Sequence, residues 1–171
     1  MKHRDASTEK TQRRFADNGD TVLDFMVGGI LVECPSCGGC AEHRPIGSAE
    51  SRRGMFAPRR LVCTECGLVR DWAERTIHRR WRGSPARDDY FGAILWLRER
   101  FGDEEVWAYN WEHLAFLERY VAAALRSRMR HSETGWSNRS FVSRLPIFIK
   151  LAKNRARVLA AIRRIRRKRA P

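Results

Sequence analysis

The chain has 171 residues, 43% of them hydrophobic, and a formal net charge of +14 at pH 7. That length suits one ordinary domain, or a small metal-binding module joined to a helical part. No apolar run reaches the roughly 18 residues of a membrane-spanning helix, and the polar first residues lack the core of a secretory signal, so we expect a cytoplasmic protein without a membrane partner.

Residues 1–20 are polar and mixed in charge, and Asn-Gly-Asp at 18–20 has the composition of a turn. We therefore predict a disordered leader over residues 1–20. The apolar residues that follow a Gly-Gly break predict a short strand over residues 29–33, which leads into the first cysteine.

Four of the five cysteines form two knuckles with the same pattern, Cys-x-x-Cys-Gly. Cys34 and Cys37 belong to the first knuckle, and Cys63 and Cys66 belong to the second. Two such pairs have the spacing of a four-thiolate zinc site, and the glycine permits a tight backbone turn. We predict one structural Zn²⁺, because four thiolates leave no open position for an activated water. Cysteines paired in this way also indicate a reducing compartment.

The fifth cysteine, Cys40, extends the first knuckle to Cys-x-x-Cys-x-x-Cys, and His43 follows three residues later. This run matches the first three ligands of a ferredoxin-type iron–sulfur motif, but the fourth ligand would fall at Arg44. The alternatives are an iron–sulfur centre, a second metal, or Cys40 or His43 in place of one ligand. We favour a spare thiol beside the zinc site.

Strands are predicted over residues 60–62 and 68–72, which places the second knuckle at a hairpin tip, and residues 42–58 predict a loop. This arrangement resembles a zinc ribbon. The sequence Cys-Thr-Glu-Cys-Gly-Leu-Val at 63–69 is similar to the second knuckle of the transcription factor IIB type. The resemblance covers residues 31–72 and implies a three-stranded antiparallel sheet that carries one zinc ion. The chain also resembles small bacterial zinc-ribbon proteins, and it lacks the cyclin-like repeats of the general factor.

Beyond the ribbon, residues 73–89 are a basic connector with a Gly-Ser-Pro break. Two apolar segments, 93–99 and 105–109, predict a second hairpin, although a helix over 93–100 is an alternative. Asn110 is a suitable N-cap for a helix over residues 111–129, whose apolar residues recur at intervals of three and four. Trp96, Trp107 and Trp111 are assigned to the core.

The C-terminal end predicts two short helices, over residues 139–145 and 147–152, and a last helix over 155–169 capped by Asn154. In this last helix Leu159, Ile162 and Ile165 form a narrow apolar stripe, and basic residues cover the rest. The predicted fold class is therefore α+β. It comprises a zinc ribbon over residues 21–72, the connector, and a hairpin with a helical region over residues 90–171.

The positive charge lies mainly at the C-terminal end, where residues 131–171 contain twelve Lys or Arg and one acid. Such an excess attracts polyanions, whereas a merely solvated helix usually mixes signs. We therefore predict binding to DNA or RNA, in transcription or replication. The residues expected to contact nucleic acid are Arg70, Arg79, Arg80, Arg82, Arg155, Arg157, Arg163, Arg164, Arg166, Arg167, Lys168 and Arg169.

Other interpretations of the basic surface remain open. A solvated charged face would only aid solubility, and a membrane surface fits poorly because the apolar stripe is narrow. Trp72 and Trp81 lie among arginines and are candidates for stacking on bases. An interaction adaptor that docks on RNA polymerase or another nucleoprotein machine is the alternative function. No nucleophile elbow, phosphate-binding glycine loop or metalloprotease motif is present, so an enzyme is not predicted.

Overall fold

The computed structural model describes residues 14–48, 50, 52, 54–74, 85–128 and 140–168. The described chain is α+β, as predicted. Its strands are β1 (Arg14–Asp17), β2 (Ile30–Glu33), β3 (Cys40–Pro45), β4 (Arg59–Val62), β5 (Val69–Trp72), β6 (Leu97–Phe101), β7 (Glu104–Ala108) and β8 (Leu125–Arg128). Its helices are α1 (Val22–Val27), α2 (Trp111–Ala122), α3 (Phe141–Arg144), α4 (Ile147–Lys150) and α5 (Arg155–Arg166), with a 3-10 turn at Ala152–Asn154. Among the described residues, no helix combines the length and apolar character needed to cross a bilayer.

The cysteine knuckles lie on a four-stranded antiparallel sheet in the order β2-β3-β4-β5. The resemblance implied three strands, and residues 42–58 were predicted to be a loop. Both expectations are wrong at β3, which pairs with β2 on one side and with β4 on the other. Cys40, Ala41 and His43 of β3 are buried, and this burial stabilises a strand in a stretch whose local composition favours a loop.

The second hairpin is confirmed, but its first strand starts four residues later than predicted. β6 and β7 pair from Leu97 opposite Ala108 to Phe101 opposite Glu104, across a turn in which Gly102 has φ +64°. The alternative helix over residues 93–100 is therefore wrong. Ile94 and Trp96 instead run beside β2, where the Glu33 amide donates to the Ile94 carbonyl (2.7 Å).

The long helix begins where predicted but ends at Ala122, seven residues early. The following residues form β8, which pairs in parallel with β1. This pairing also corrects the predicted leader, because residues 14–17 are a strand; residues 1–13 lie outside the described chain. Phe15 of β1 is buried edge-on against Phe116 and Tyr120 of α2, with both ring centroids 5.3 Å away. Burial of one aromatic side chain thus stabilises β1 against the long helix.

The last helix, α5, packs its apolar stripe against α2 and β6. Val158, Ala161, Ile162 and Ile165 are buried, and the exposed side of α5 is basic. The described helix ends at Arg166, three residues before the predicted end. The two short helices before it are confirmed as α3 and α4, each of a single turn.

Candidate metal centre

The four knuckle cysteines form a compact cluster of sulfur atoms. Their Sγ atoms all lie within 4.8 Å of one another, with 3.7 Å between Cys34 and Cys66 and 3.7 Å between Cys37 and Cys63. A tetrahedral ion with metal–sulfur bonds of about 2.3 Å separates its sulfur ligands by roughly 3.8 Å. The cluster can therefore hold one metal ion, and the four residues are those predicted from the sequence.

Matching turns position the two halves of the cluster. The amide of Gly38 donates to the carbonyl of Cys34 (2.9 Å), and the amide of Gly67 donates to that of Cys63 (3.0 Å). Both glycines have positive φ, +76° and +74°, a conformation that a side chain disfavours. The Ser36 amide also lies 3.4 Å from the Cys34 sulfur. The predicted reason for glycine after each pair is therefore confirmed.

The proximity of the thiols changes their acidity. Burial raises the pKa of Cys34, but the amides of Cys37 and Ser36 and the thiols of Cys66 and Cys63 outweigh it, so the pKa falls to about 7. The Gly39 amide lowers the pKa of Cys37, but burial and the three neighbouring thiols together outweigh it and raise that pKa to about 12. One thiol ionises readily and its negative charge hinders the next. Four thiolates at this distance therefore require a cation between them.

Neither Cys40 nor His43 belongs to the sulfur cluster among the described residues. Cys40 is buried in β3 with 2% of its surface exposed, and burial raises the pKa of its thiol to about 12. It is thus a neutral core side chain, as the spare-thiol interpretation predicted. His43 accepts a hydrogen bond at Nδ1 from Arg59 (2.9 Å), and its Nε2 lies 3.3 Å from Asp88.

The contacts of His43 belong to a buried polar network that sequence reasoning missed. Arg59 is 2% exposed; it also donates to the Met26 carbonyl (2.8 Å), and its guanidinium lies 4.4 Å from the Tyr90 ring centroid. Asp88 accepts three backbone amides from residues 90–93 at 2.6–2.8 Å. The sequence signal was weak, because Arg59 directly follows the predicted loop and Asp88 lies near the end of the predicted connector. The network joins the ribbon to the C-terminal end of the connector.

Hydrogen bonds and an ion pair also connect β2, which leads into the sulfur cluster, to the rest of the described chain. Leu31 donates its amide to the carbonyl of Tyr109 (2.8 Å) and accepts the amide of Trp96 (3.0 Å). Arg98 of β6 bridges Glu33 at 2.8 Å and Glu105 at 3.3 Å. The hydrophobic cluster runs without a break from the ribbon into the helical part. The metal centre therefore lies on the same core as α2 and α5.

The basic residues predicted to contact nucleic acid differ in whether they have a partner within the protein. Several have partners within the protein: Arg155 donates to the Ala123 carbonyl, Arg157 lies over the Phe101 ring, Arg164 pairs with Glu99, Arg166 pairs with Glu118, and Lys168 donates to the Trp96 carbonyl. Four are exposed and have no ion pair or side-chain hydrogen bond in the described chain: Arg70, Arg157, Arg163 and Arg167. Four lie outside the described residues: Arg79, Arg80, Arg82 and Arg169.

The tryptophans differ in how deeply they are buried. Trp72 is 5% exposed and packs edge-on against Tyr90 with ring centroids 4.8 Å apart. Trp72 is therefore a core residue, and it exposes too little surface to serve as the candidate base-stacking side chain. Trp81 lies outside the described residues. Trp96, Trp107 and Trp111 pack against the core and keep some exposed surface.

Comparison with known proteins gives no match to a family model, to a curated protein or to a solved structure. The class of protein is therefore described by its own fold and site. It is an α+β chain with a four-cysteine centre that can hold one metal ion. The transcription factor IIB type remains a resemblance in the knuckle sequence.

Proposed function

We propose that the four cysteines bind one zinc ion and that its role is structural. Cysteine thiolates in two Cys-x-x-Cys knuckles are the ligand set of tetrahedral structural zinc. The sulfur–sulfur distances of 3.7 Å support that geometry. The paired turns favour a closed four-sulfur shell, which leaves no coordination position for a substrate.

We further propose that the protein is a non-enzymatic nucleic-acid-binding protein, associated with transcription or replication. The observation that carries this proposal is the outer face of α5. Because Val158, Ala161, Ile162 and Ile165 fix the helix on the core, the basic side chains must point outward. Arg163 and Arg167 lie one helical turn apart on that face and have no partner in the described chain. Two uncompensated guanidinium groups at this spacing suit adjacent phosphate oxygens.

The test is a binding titration that varies both salt and the arginines. Fluorescence anisotropy with labelled single- and double-stranded DNA and RNA would identify the preferred nucleic acid. The double variant R163A/R167A should bind more weakly, and the slope of log affinity against log salt should fall by about 2. The matched control is R14A/R100A, which removes the same charge from exposed positions off α5. Equal effects of the two double variants, or binding that ignores salt, would contradict the proposal.

A protein-interaction adaptor is the second candidate, and one observation favours it. Val62 and Val69 lie opposite each other across β4 and β5, and they are 40% and 57% exposed. An apolar pair beside a metal knuckle fits a protein surface such as that of a polymerase better than it fits phosphate. Co-purification before and after nuclease treatment separates the two functions. A partner retained after nuclease and lost in V62S/V69S would support the adaptor.

A further inference from the structure

A cleft lies between the β6–β7 turn, α2 and the α3–α4 segment. Its volume is about 760 Å³, which is in the range of small-molecule sites. The walls are mostly apolar and include Trp107, Leu117, Phe141, Leu145, Phe148 and Ile149. Three aromatic rings among these residues suit a flat ligand, because ring faces stack favourably on one another.

His113 forms the floor of the cleft and has an unused hydrogen-bond donor. Its Nδ1 accepts the backbone amide of Tyr109 (3.1 Å), so the neutral ring carries its proton on Nε2. That Nε2 has no hydrogen-bond partner in the described chain, although the side chain is completely buried. An orphaned donor of this kind is unfavourable in the protein alone and would be satisfied by an acceptor atom of a ligand. Because His113 has no exposed surface, binding at Nε2 requires that one of the side chains packed around the ring moves; the Phe141 ring is among them, with its centroid 4.5 Å from that of His113.

Two acidic side chains and one basic side chain, Arg144 at the end of α3, line the cleft. Asp103 and Glu104, in the turn between β6 and β7, are exposed and form no ion pair or side-chain hydrogen bond in the described chain. Two free carboxylates are unexpected in a protein of net charge +14. Carboxylates accept hydrogen bonds and repel anions, so they favour a ligand that presents N–H groups at the rim.

We propose that this cleft binds an amino-substituted heteroaromatic ring, the chemistry of an adenine or cytosine base. The ring lies against Trp107 and the neighbouring aromatic side chains. A ring nitrogen or carbonyl accepts the His113 Nε2–H, and the amino group donates to Asp103 or Glu104. The proposal does not depend on the arginines of α5, because a free base carries no phosphate.

The test uses the zinc-loaded full chain and isothermal titration calorimetry with adenine and with hypoxanthine. Hypoxanthine has a carbonyl where adenine has its amino group. Adenine should bind about tenfold more tightly, because loss of one hydrogen bond to a charged group costs roughly that factor. The variant D103N/E104Q should lower adenine affinity by about tenfold and should not lower hypoxanthine affinity, because the new amide N–H groups can donate to the hypoxanthine carbonyl. E74Q, an exposed acid elsewhere on the chain, is the matched control and should change neither.

A second variant tests the floor of the cleft. H113F keeps an aromatic ring at the buried position but removes the Nε2–H, so both ligands should bind more weakly. Thermal unfolding checks that H113F is folded, and the exposed rim variant provides the test if it is not. Failure of adenine to bind the wild-type protein would overturn the proposal. Equal adenine affinity in the wild type and D103N/E104Q would also overturn it.

Discussion

Removal of the proposed zinc ion should unfold the knuckles, and the structure indicates how large the effect is. The knuckle segments 34–39 and 63–67 expose most of their side chains, and their buried positions are mainly cysteines. Ordering about eleven residues costs roughly 1–1.5 kcal/mol each, or about 11–17 kcal/mol in total. Structural zinc contributes roughly 10–16 kcal/mol in small domains. The metal and the ordering cost are therefore of similar size, and hydrophobic burial inside the knuckles offsets little.

The loss should spread unequally through the molecule. β2 is hydrogen-bonded to the segment beside β6 and packs in the shared core, whereas β5 is an exposed edge. A strong chelator should release one zinc per chain, detected with a chromogenic indicator. Amide hydrogen exchange read by mass spectrometry should then lose protection first in β4 and β5, and α2 and α5 should keep most of theirs. The exposure of buried Trp72 should shift its fluorescence to longer wavelength.

Single cysteine variants provide the matched comparison. C66A removes a ligand and should abolish stoichiometric zinc binding. C40A removes the buried thiol outside the sulfur cluster, so it should retain one zinc and lose only packing energy, about 1 kcal/mol. Loss of zinc in C40A would show that the ligand set is wrong. Unchanged circular dichroism after chelation, with no zinc released, would refute the structural role of the metal.

Three further predictions concern buried polar groups. N110A removes the N-cap of α2 and two hydrogen bonds that the side chain donates to carbonyls in residues 25–29. The free energy of unfolding should fall by about 3 kcal/mol and Tm by roughly 6–12 °C. N154A, which removes one side-chain hydrogen bond, is the control. N110D keeps the cap without the donors, and wild-type stability in N110D would contradict this reasoning. D88N should lower the free energy of unfolding, measured with urea, by about 2–3 kcal/mol. The reason is that an amide cannot accept hydrogen bonds from all three backbone N–H groups that the Asp88 carboxylate binds. A decrease below about 0.5 kcal/mol would contradict this reasoning. Burial lowers the pKa of His113 to about 3, so the unfolded chain takes up its proton first, and the unfolding free energy should fall by up to about 1.4 kcal/mol per pH unit below about 6.5. With excess zinc present, H113F should show a shallower fall between about pH 7 and 5.5, and equal slopes would exclude this contribution.

The sequence predicted features that repeat locally. Each knuckle carries its ligands and its glycine within five residues, so Cys34 and Cys63 could be assigned without knowledge of the fold. The same holds for the start of α2, where Asn110 precedes a regular apolar stripe and its side chain accepts the His113 amide. Such signals depend on neighbours in sequence, and tertiary contacts only reinforce them.

The features that were missed depend on distant partners. β3 lies in a stretch whose local composition favours a loop, and its stability comes from pairing on both sides and from burial. α2 ends early because β8 pairs with β1, more than 100 residues earlier in the chain. Helix propensity alone would carry the helix through Ala122 and the two alanines after it. In both places tertiary pairing overrides a local preference.

The charge that α5 presents to solvent also depends on partners that are distant in sequence. The count of basic residues in α5 does not show that Glu99 of β6 and Glu118 of α2 already pair with Arg164 and Arg166, from 65 and 48 residues away. Exposed pairs of this kind are weak, typically below 1 kcal/mol, so phosphate could displace them. If they persist, the described arginines in and directly after α5 that have no ion pair or side-chain hydrogen bond are Arg157, Arg163 and Arg167, and they add about 3 to the salt slope. If nucleic acid displaces the glutamates, the contribution should approach about 5, and E99Q/E118Q should then tighten binding. A slope near 3 that E99Q/E118Q leaves unchanged would show that the internal pairs persist in the complex.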